Sequence, residues 1–335
     1  MSQHKLIFGV LVGALVLAPM PWLLEDFYLS LALSCLMYAG LTVSWAMFCG
    51  STQYLSIATS AFFGIGAYVT AWGSGTLPYP LAVLLGGAIA AAFAALVGSA
   101  VLHLRGAYFA VITFGLGELV RHAVTYFEKA YARTVGRIIS DAPENWAVFL
   151  MVLFLAAAAI VTAALVRRSR FGLALAAIGS DEGRAQTLGA NTRHVKTAGF
   201  ALSAFFAGAL GAAMAVRWTY IDPPTVFNPF IGFQTVLIAM IGGAHTLLGP
   251  LASSVVFSLL TEFLRLRFPY AYLVMLGVLL ILLVLYLPGG LAQLWEKWRA
   301  MWNARWRARW DLRWNRLRAR RGARLPRFSA RSGRD

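Results

Sequence analysis

Residues 146–166 read WAVFLMVLFLAAAAIVTAALV, twenty-one positions with no charged side chain and a single hydroxyl, Thr162. A helix of about 20 such residues, rising ~1.5 Å each, spans the ~30 Å hydrocarbon core of a bilayer. Working outward from this run, comparable apolar stretches fall at 6–24, 28–48, 55–72, 81–102, 107–127, 198–216, 230–243, 249–264 and 271–287, giving ten spans. The third is broken by Gly64 and Gly66, and the eighth is short. The first lacks a small-residue cleavage site before Glu25 and is followed at once by more spans, so it does not read as a signal peptide. The composition agrees. Of 335 residues, 60% are hydrophobic and 13% charged, about half the ~25% charge of a soluble globular chain. An ordinary cytosolic enzyme, a disordered chain and a secreted disulfide scaffold are excluded. The fold class is an all-α polytopic membrane protein.

The net charge of +16 is unevenly placed. Residues 291–335 hold fourteen Lys/Arg against three acids, and the other 290 residues hold fifteen against ten. With ten spans both termini lie on one side. Positive residues favour the cytoplasm, and translocating this tail would be costly, so both termini are expected in the cytoplasm. Lys5, Arg105, Arg167, Arg168, Arg170, Arg184, Arg193 and Lys196 fall on the same side. The chain then divides into a permease domain, 1–290, and a basic tail, 291–335.

Five spans per half require the halves to be inverted. The third span then corresponds to the eighth, which ends in Gly242-Gly243. Paired irregular segments in inverted halves point to a translocation path near the midplane, while glycines that only let helices pack closely are the alternative. Cys35 and Cys49, at roughly 21 Å apart along a helix, are too distant for a disulfide, and the five histidines are scattered. No metal site is expected, and no catalytic constellation stands out.

The polar stretch 167–197, RRSRFGLALAAIGSDEGRAQTLGANTRHVKT, lies between two strong spans. Phe171, Leu173, Leu175, Ala176 and Ile178 make one short apolar helix face. Asp181-Glu182 starts a second helix through Ala185 and Leu188, closed by Gly189. A short helix pair under the membrane is something a soluble partner could grip; a packed connecting loop is the alternative.

Within this stretch, Ser169-Arg170-Phe171-Gly172, Ala174-Leu175, Ala177-Ile178, Asp181-Glu182, Ala185, Leu188-Gly189, Asn191 and Lys196 resemble the coupling loop of the LivM-type permeases of branched-chain amino acid ABC transporters. Five further blocks are similar to that family and collinear with it: Leu55–Ala58 with Ala61–Tyr68, Leu104–Ala110, Ile241–Gly243, Leu248–Pro250 and Leu287–Leu291. The resemblance covers roughly residues 28–291. It implies a permease pairing with a second permease of the same family, two ATP-binding subunits docked on the cytoplasmic loops, and a periplasmic binding protein that delivers an amino acid. It assigns ATPase coupling to Arg170, Phe171, Gly172, Ala177, Asp181, Glu182, Leu188 and Gly189. The sequence has no G-x-x-x-x-G-K-[ST] phosphate loop, so ATP is expected to bind only to partner subunits and no cofactor to this chain. The sequence departs from the family at 132–139, where Ala-Arg-Thr-Val-Gly-Arg-Ile-Ile replaces a Gly-rich stretch, and at Thr59.

Candidates for the path are Gly64, Gly66, Tyr68, Glu118, Arg121, Gly242, Gly243 and Glu262. Glu118 with Arg121 and Glu262 with Arg265 are i,i+3 pairs near the outer ends of spans, each able to close on one helix face. Intramembrane charges usually face a bundle interior or a cavity. Both pairs can line an outer vestibule that meets a zwitterion, or each can be a structural ion pair. The tail carries Trp295, Trp298, Trp302, Trp306, Trp310 and Trp314 in a stripe laced with arginine. It suits the headgroup layer of membrane lipids; a solvated extension is the alternative, and a nucleic-acid arm is not expected. The function implied is the inner-membrane permease subunit of an importer for branched-chain or related amino acids. The alternatives are a permease of the same family for urea, amides or another small solute, or an ion-coupled carrier, which would need midplane carboxylates and no docking loop.

Overall fold

A computed structural model describes residues 3–139, 142–218, 220–244, 246–272 and 274–278, all within one compact unit, Met1–Leu291. The tail and most of the span expected at 271–287 lie outside the described residues. The chain runs α1 (Gln3–Leu17), α2 (Met20–Leu23), α3 (Asp26–Trp45) continuing into a π-helical turn Ala46–Gly50, α4 (Thr59–Gly73), α5 (Tyr79–Val101), α6 (Ala107–Phe127) with a second π-helical turn Glu128–Ala132, and α7 (Asn145–Arg168). It continues through α8 (Arg170–Ser180), α9 (Glu182–Thr187), α10 (Thr192–Ala215), α11 (Pro223–Val226), α12 (Pro229–Gly242) and α13 (Leu248–Arg267). Two short strands, β1 (Arg137–Ile138) and β2 (Tyr220–Ile221), pair antiparallel with Arg137 opposite Ile221.

Among the described residues seven helical stretches are long and apolar enough to cross a membrane: Asp26–Gly50, Tyr79–Val101, Ala107–Tyr131, Asn145–Arg168, Thr192–Ala215, Pro223–Gly242 and Leu248–Arg267. The run at 6–24 is not one continuous helix. It divides at Ala18-Pro19 into α1 and α2, because proline lacks the N–H that would continue the helix and disfavours helical geometry in the residue before it.

The third apolar run is interrupted, but not at Gly64 and Gly66, through which α4 passes unbroken. The interruption precedes Thr59. Residues 53–57 are non-helical, and the Trp45 indole donates to the Ser56 carbonyl at 2.7 Å while the Ile57 amide donates to Thr113 Oγ1 at 3.0 Å. Non-helical backbone at membrane depth is tolerated where protein groups satisfy it. Thr113 lies within α6 and Tyr68 reaches Glu128 beyond the end of α6, so α4, fifteen residues long, begins partway along α6 and runs towards its C-terminal end.

Close packing around α10 accounts for the glycines. A Cβ on Gly66 would fall 1.8 Å from the Gly208 carbonyl oxygen, and one on Gly208 would fall 2.4 Å from Ala90 Cβ. Small residues let helix backbones meet this closely where lipid offers no hydrophobic drive to association. α10 packs most extensively on α5 and α4. Thr70 Oγ1 and the Tyr79 hydroxyl cross-tie to the Ala212 and Ala213 carbonyls at 3.0 and 2.9 Å. α3 and α7 begin at the end of the bundle where α10 and α13 finish; α8 and α9 lie at the opposite end.

Candidate functional site

The stretch between α7 and α10 folds as the two short helices its residues encode. Ser169 caps α8 by accepting the Gly172 amide at 3.1 Å. Asp181, in extended conformation, ends α8 and caps α9 by accepting the Arg184 amide at 3.1 Å. Asn191 caps α10 through the His194 amide. Such caps satisfy helix-end donors, and an acid in the first turn complements the helix dipole. Gly189, at φ +84°, closes α9: its amide reaches Gln186 O and the Ala190 amide reaches Ala185 O, the paired bonds of a Schellman motif, which needs a left-handed residue at that point.

α8 is seated against the bundle. Gly172, Leu175 and Ile178 are buried. A Cβ on Gly172 would stand 1.9 Å from the Val166 carbonyl oxygen, so only glycine lets α8 tuck under the end of α7. Phe171 and Ala177 are partly buried against the core. Arg170, Asp181, Leu188 and Gly189 are exposed. Leu173 and Leu188, 64% and 85% exposed, present apolar side chains away from the bundle.

Glu182 does not join that exposed face. It is 8% exposed and its Oε1 lies 2.6 Å from Lys196 Nζ in α10. The Tyr54 hydroxyl donates to Glu182 Oε2 at 2.9 Å, and Arg105 pairs with the same oxygen at 2.7 Å. Lys196 also donates to the Leu102 carbonyl at 2.7 Å and to the Tyr54 hydroxyl at 3.1 Å. Its three N–H donors therefore each have a partner. Burial by itself would raise the Glu182 carboxyl. The hydrogen bonds from Lys196 and Tyr54 and the charges of Lys196 and Arg105 outweigh it and hold the group below its ordinary range; the same carboxylate raises the Arg105 guanidinium. This one carboxylate joins α9 to α10, to the α5–α6 connection and to the segment before α4.

The path candidates fall into separate places. Gly64 and Tyr68 meet at Phe227. A Cβ on Gly64 would lie 2.2 Å from the Phe227 ring, and the Tyr68 ring stacks on it at 5.7 Å. Gly66 faces α10 instead. Gly242 packs against Gly249, and Gly243, at φ +84°, makes the turn into the α12–α13 connection; neither joins the Gly64 group. Glu118 and Arg121 close on each other at 2.5 Å on α6. The expected closure of Glu262 on Arg265 is not found among the described residues. Both side chains instead line a cleft with Asp26 and Arg217, since i,i+3 spacing permits a bond without requiring one.

A second buried carboxylate was not anticipated. Glu128, 3% exposed in the π-helical turn after α6, accepts from Tyr68 at 3.2 Å and from the Gly136 amide at 2.8 Å, with Arg137 Nε 3.6 Å from its other oxygen. An acid ending an apolar run reads as an interface residue, and its partners are remote in sequence. Among the described residues no cluster of three or more His, Cys, Asp or Glu could hold a metal ion.

The described residues form a bundle of apolar helices, seven of them long enough to cross a membrane, with a capped helix pair at one end. A family model described as "Branched-chain amino acid transport system / permease component" matches residues 27–284. The chain belongs to this family and is a permease component, a multi-pass membrane protein that works with other subunits. It is 26% identical over 318 residues to the high-affinity branched-chain amino acid transport system permease protein LivM of Escherichia coli (strain K12), covering 84% of this chain and 74% of the relative. The LivM of Salmonella typhimurium (strain LT2) is equally similar, with the same identity and coverage. No solved structure matches the chain.

Proposed function

We propose that this chain is one of two membrane-spanning subunits of an ATP-driven importer for branched-chain or related small amino acids, in the inner membrane of a bacterium with both termini in the cytoplasm. Its partners are a second permease of the same family, two ATP-binding subunits that carry out the hydrolysis, and a periplasmic protein that delivers the substrate. The chain itself binds no cofactor. α1–α2, α4 and the stretch at 271–287 would bring the span count to ten, in two inverted halves.

The observation that carries this reading is the α8–α9 pair. Its outward side offers Leu173 and Leu188, and its inward side is fixed by Gly172, Leu175 and Glu182. An ATP-binding subunit that grips Leu173 and Leu188 would pull on a rigid body. Glu182 would pass that movement to α10 through Lys196, to the α5–α6 connection through Arg105, and to the segment before α4 through Tyr54. Packed elements tied by such bonds move as units, not by continuous deformation. Substrate would pass along α4, where Gly64 and Tyr68 meet Phe227 from beyond α11; Gly242 and Gly243 would shape the near exit. Glu118 and Arg121, closed on each other, would serve as a structural pair.

The test is assembly. Co-expressed with its ATP-binding subunits, Leu188→Asp is expected to weaken their co-purification by roughly tenfold, the equivalent of about 1.4 kcal/mol. The melting midpoint of the permease should not move, because Leu188 is 85% exposed. Unchanged co-purification would contradict docking on this helix pair.

A further inference from the structure

At the end of the bundle opposite α8 and α9, a cleft of about 490 Å³ opens between the start of α3, the start of α7, the connection after α10 and the end of α13. That volume lies within the roughly 300–1,000 Å³ of small-molecule sites. Four charged side chains line it: Asp26 and Glu262, Arg217 and Arg265. Among the described residues none of them forms an ion pair, although both signs line the cleft. The Arg217 guanidinium donates to Ser30 Oγ. That uses one of its five N–H donors and leaves others for a carboxylate. Ser34 adds another hydroxyl, and Leu31, Val148 and Val216 give the cleft an apolar wall.

We propose that this cleft is a transit subsite for a free zwitterionic amino acid with a small aliphatic side chain. The charge balance is the reason. Two acids and two arginines sum to zero, so the cleft favours neither an anion nor a cation, yet it offers a donor set for an α-carboxylate and acceptors for an α-ammonium. Charge-assisted hydrogen bonds, bidentate from arginine to carboxylate, are the strongest contacts such a site can make. Leu31, Val148 and Val216 take the side chain. Charges that form no ion pair among the described residues would be paired by the solute, and a ligand with only one charge would leave half of them unmatched. The proposal rests on the chain's reading as an amino-acid permease, and it places recognition at the far face, before the solute reaches α4.

The experiment uses the whole importer in proteoliposomes, with radiolabelled leucine delivered by the periplasmic protein at saturating concentration. Uptake per ATP hydrolysed is expected to fall about tenfold in Arg217→Gln with Arg265→Gln, the size expected for losing a charged hydrogen-bond partner. Stimulation of hydrolysis by the loaded periplasmic protein should persist, and Arg265→Lys should retain uptake. In the unmutated importer, leucine carrying a diazirine should label peptides from 26–34 or 262–265. Unchanged uptake in the double variant, or labelling confined to other segments, would overturn the subsite while leaving the permease function intact. An unmutated importer that takes up no leucine, valine or isoleucine would overturn the function itself, and the subsite with it.

Discussion

Glu182 Oε1 and Lys196 Nζ are 2.6 Å apart, with both residues buried between α9 and α10. A buried pair of this kind is a poor source of net stability, but removing one partner strands the other charge. Glu182→Leu leaves the buried Lys196 ammonium with no carboxylate beside it and should therefore destabilise the permease by about 3–5 kcal/mol, and Glu182→Leu with Lys196→Leu should recover much of that loss. Thermal unfolding of the purified subunit in detergent checks this. A double variant as unstable as the sum of the singles would contradict it.

Acid should loosen the same joint. The Glu182 carboxyl is held below its ordinary range in the folded protein. Its contribution is therefore fully present above the unfolded value of about 4.3 and is lost as pH falls through the lower folded value. The melting midpoint should drop below about pH 4.3, and Glu182→Gln should flatten that part of the profile. An identical acid profile in wild type and variant would be inconsistent with the pairing.

Gly66 gives a packing prediction. An added Cβ would stand 1.8 Å from backbone, the Gly208 carbonyl oxygen, which cannot rotate away. Gly66→Ala should cost at least the ~1–3 kcal/mol typical of overpacking. At Gly64 the clashing group is the Phe227 side chain, so Gly64→Ala should cost less and act mainly by disturbing the Tyr68 stack. Melting midpoints of the two variants, in that order, provide the check.

Seven of the ten expected spans were legible because lipid demands unbroken apolar runs, and the α8–α9 pair because Ser169, Asp181, Asn191 and Gly189 carry local capping chemistry. What hid from the sequence depended on remote partners. Glu182 looks like a first-turn helix acid; that it is buried follows from Lys196 14 residues away and Tyr54 128 away. Gly64 and Gly66 suggested a broken helix because glycine weakens helices, yet here they serve close approach, and the true interruption precedes Thr59. The spacing of Glu262 and Arg265 allowed a pair, but nothing local says that Asp26 and Arg217 share their cleft.

On the proposed function, movement of docked ATP-binding subunits would reach the spans through Glu182. The most direct test is leucine uptake and ATP hydrolysis measured together in the reconstituted importer carrying Glu182→Gln, with co-purification confirming assembly. Hydrolysis should continue while uptake falls by about tenfold or more. Uptake and hydrolysis both at wild-type levels would rule out Glu182 as the joint between the helix pair and the spans.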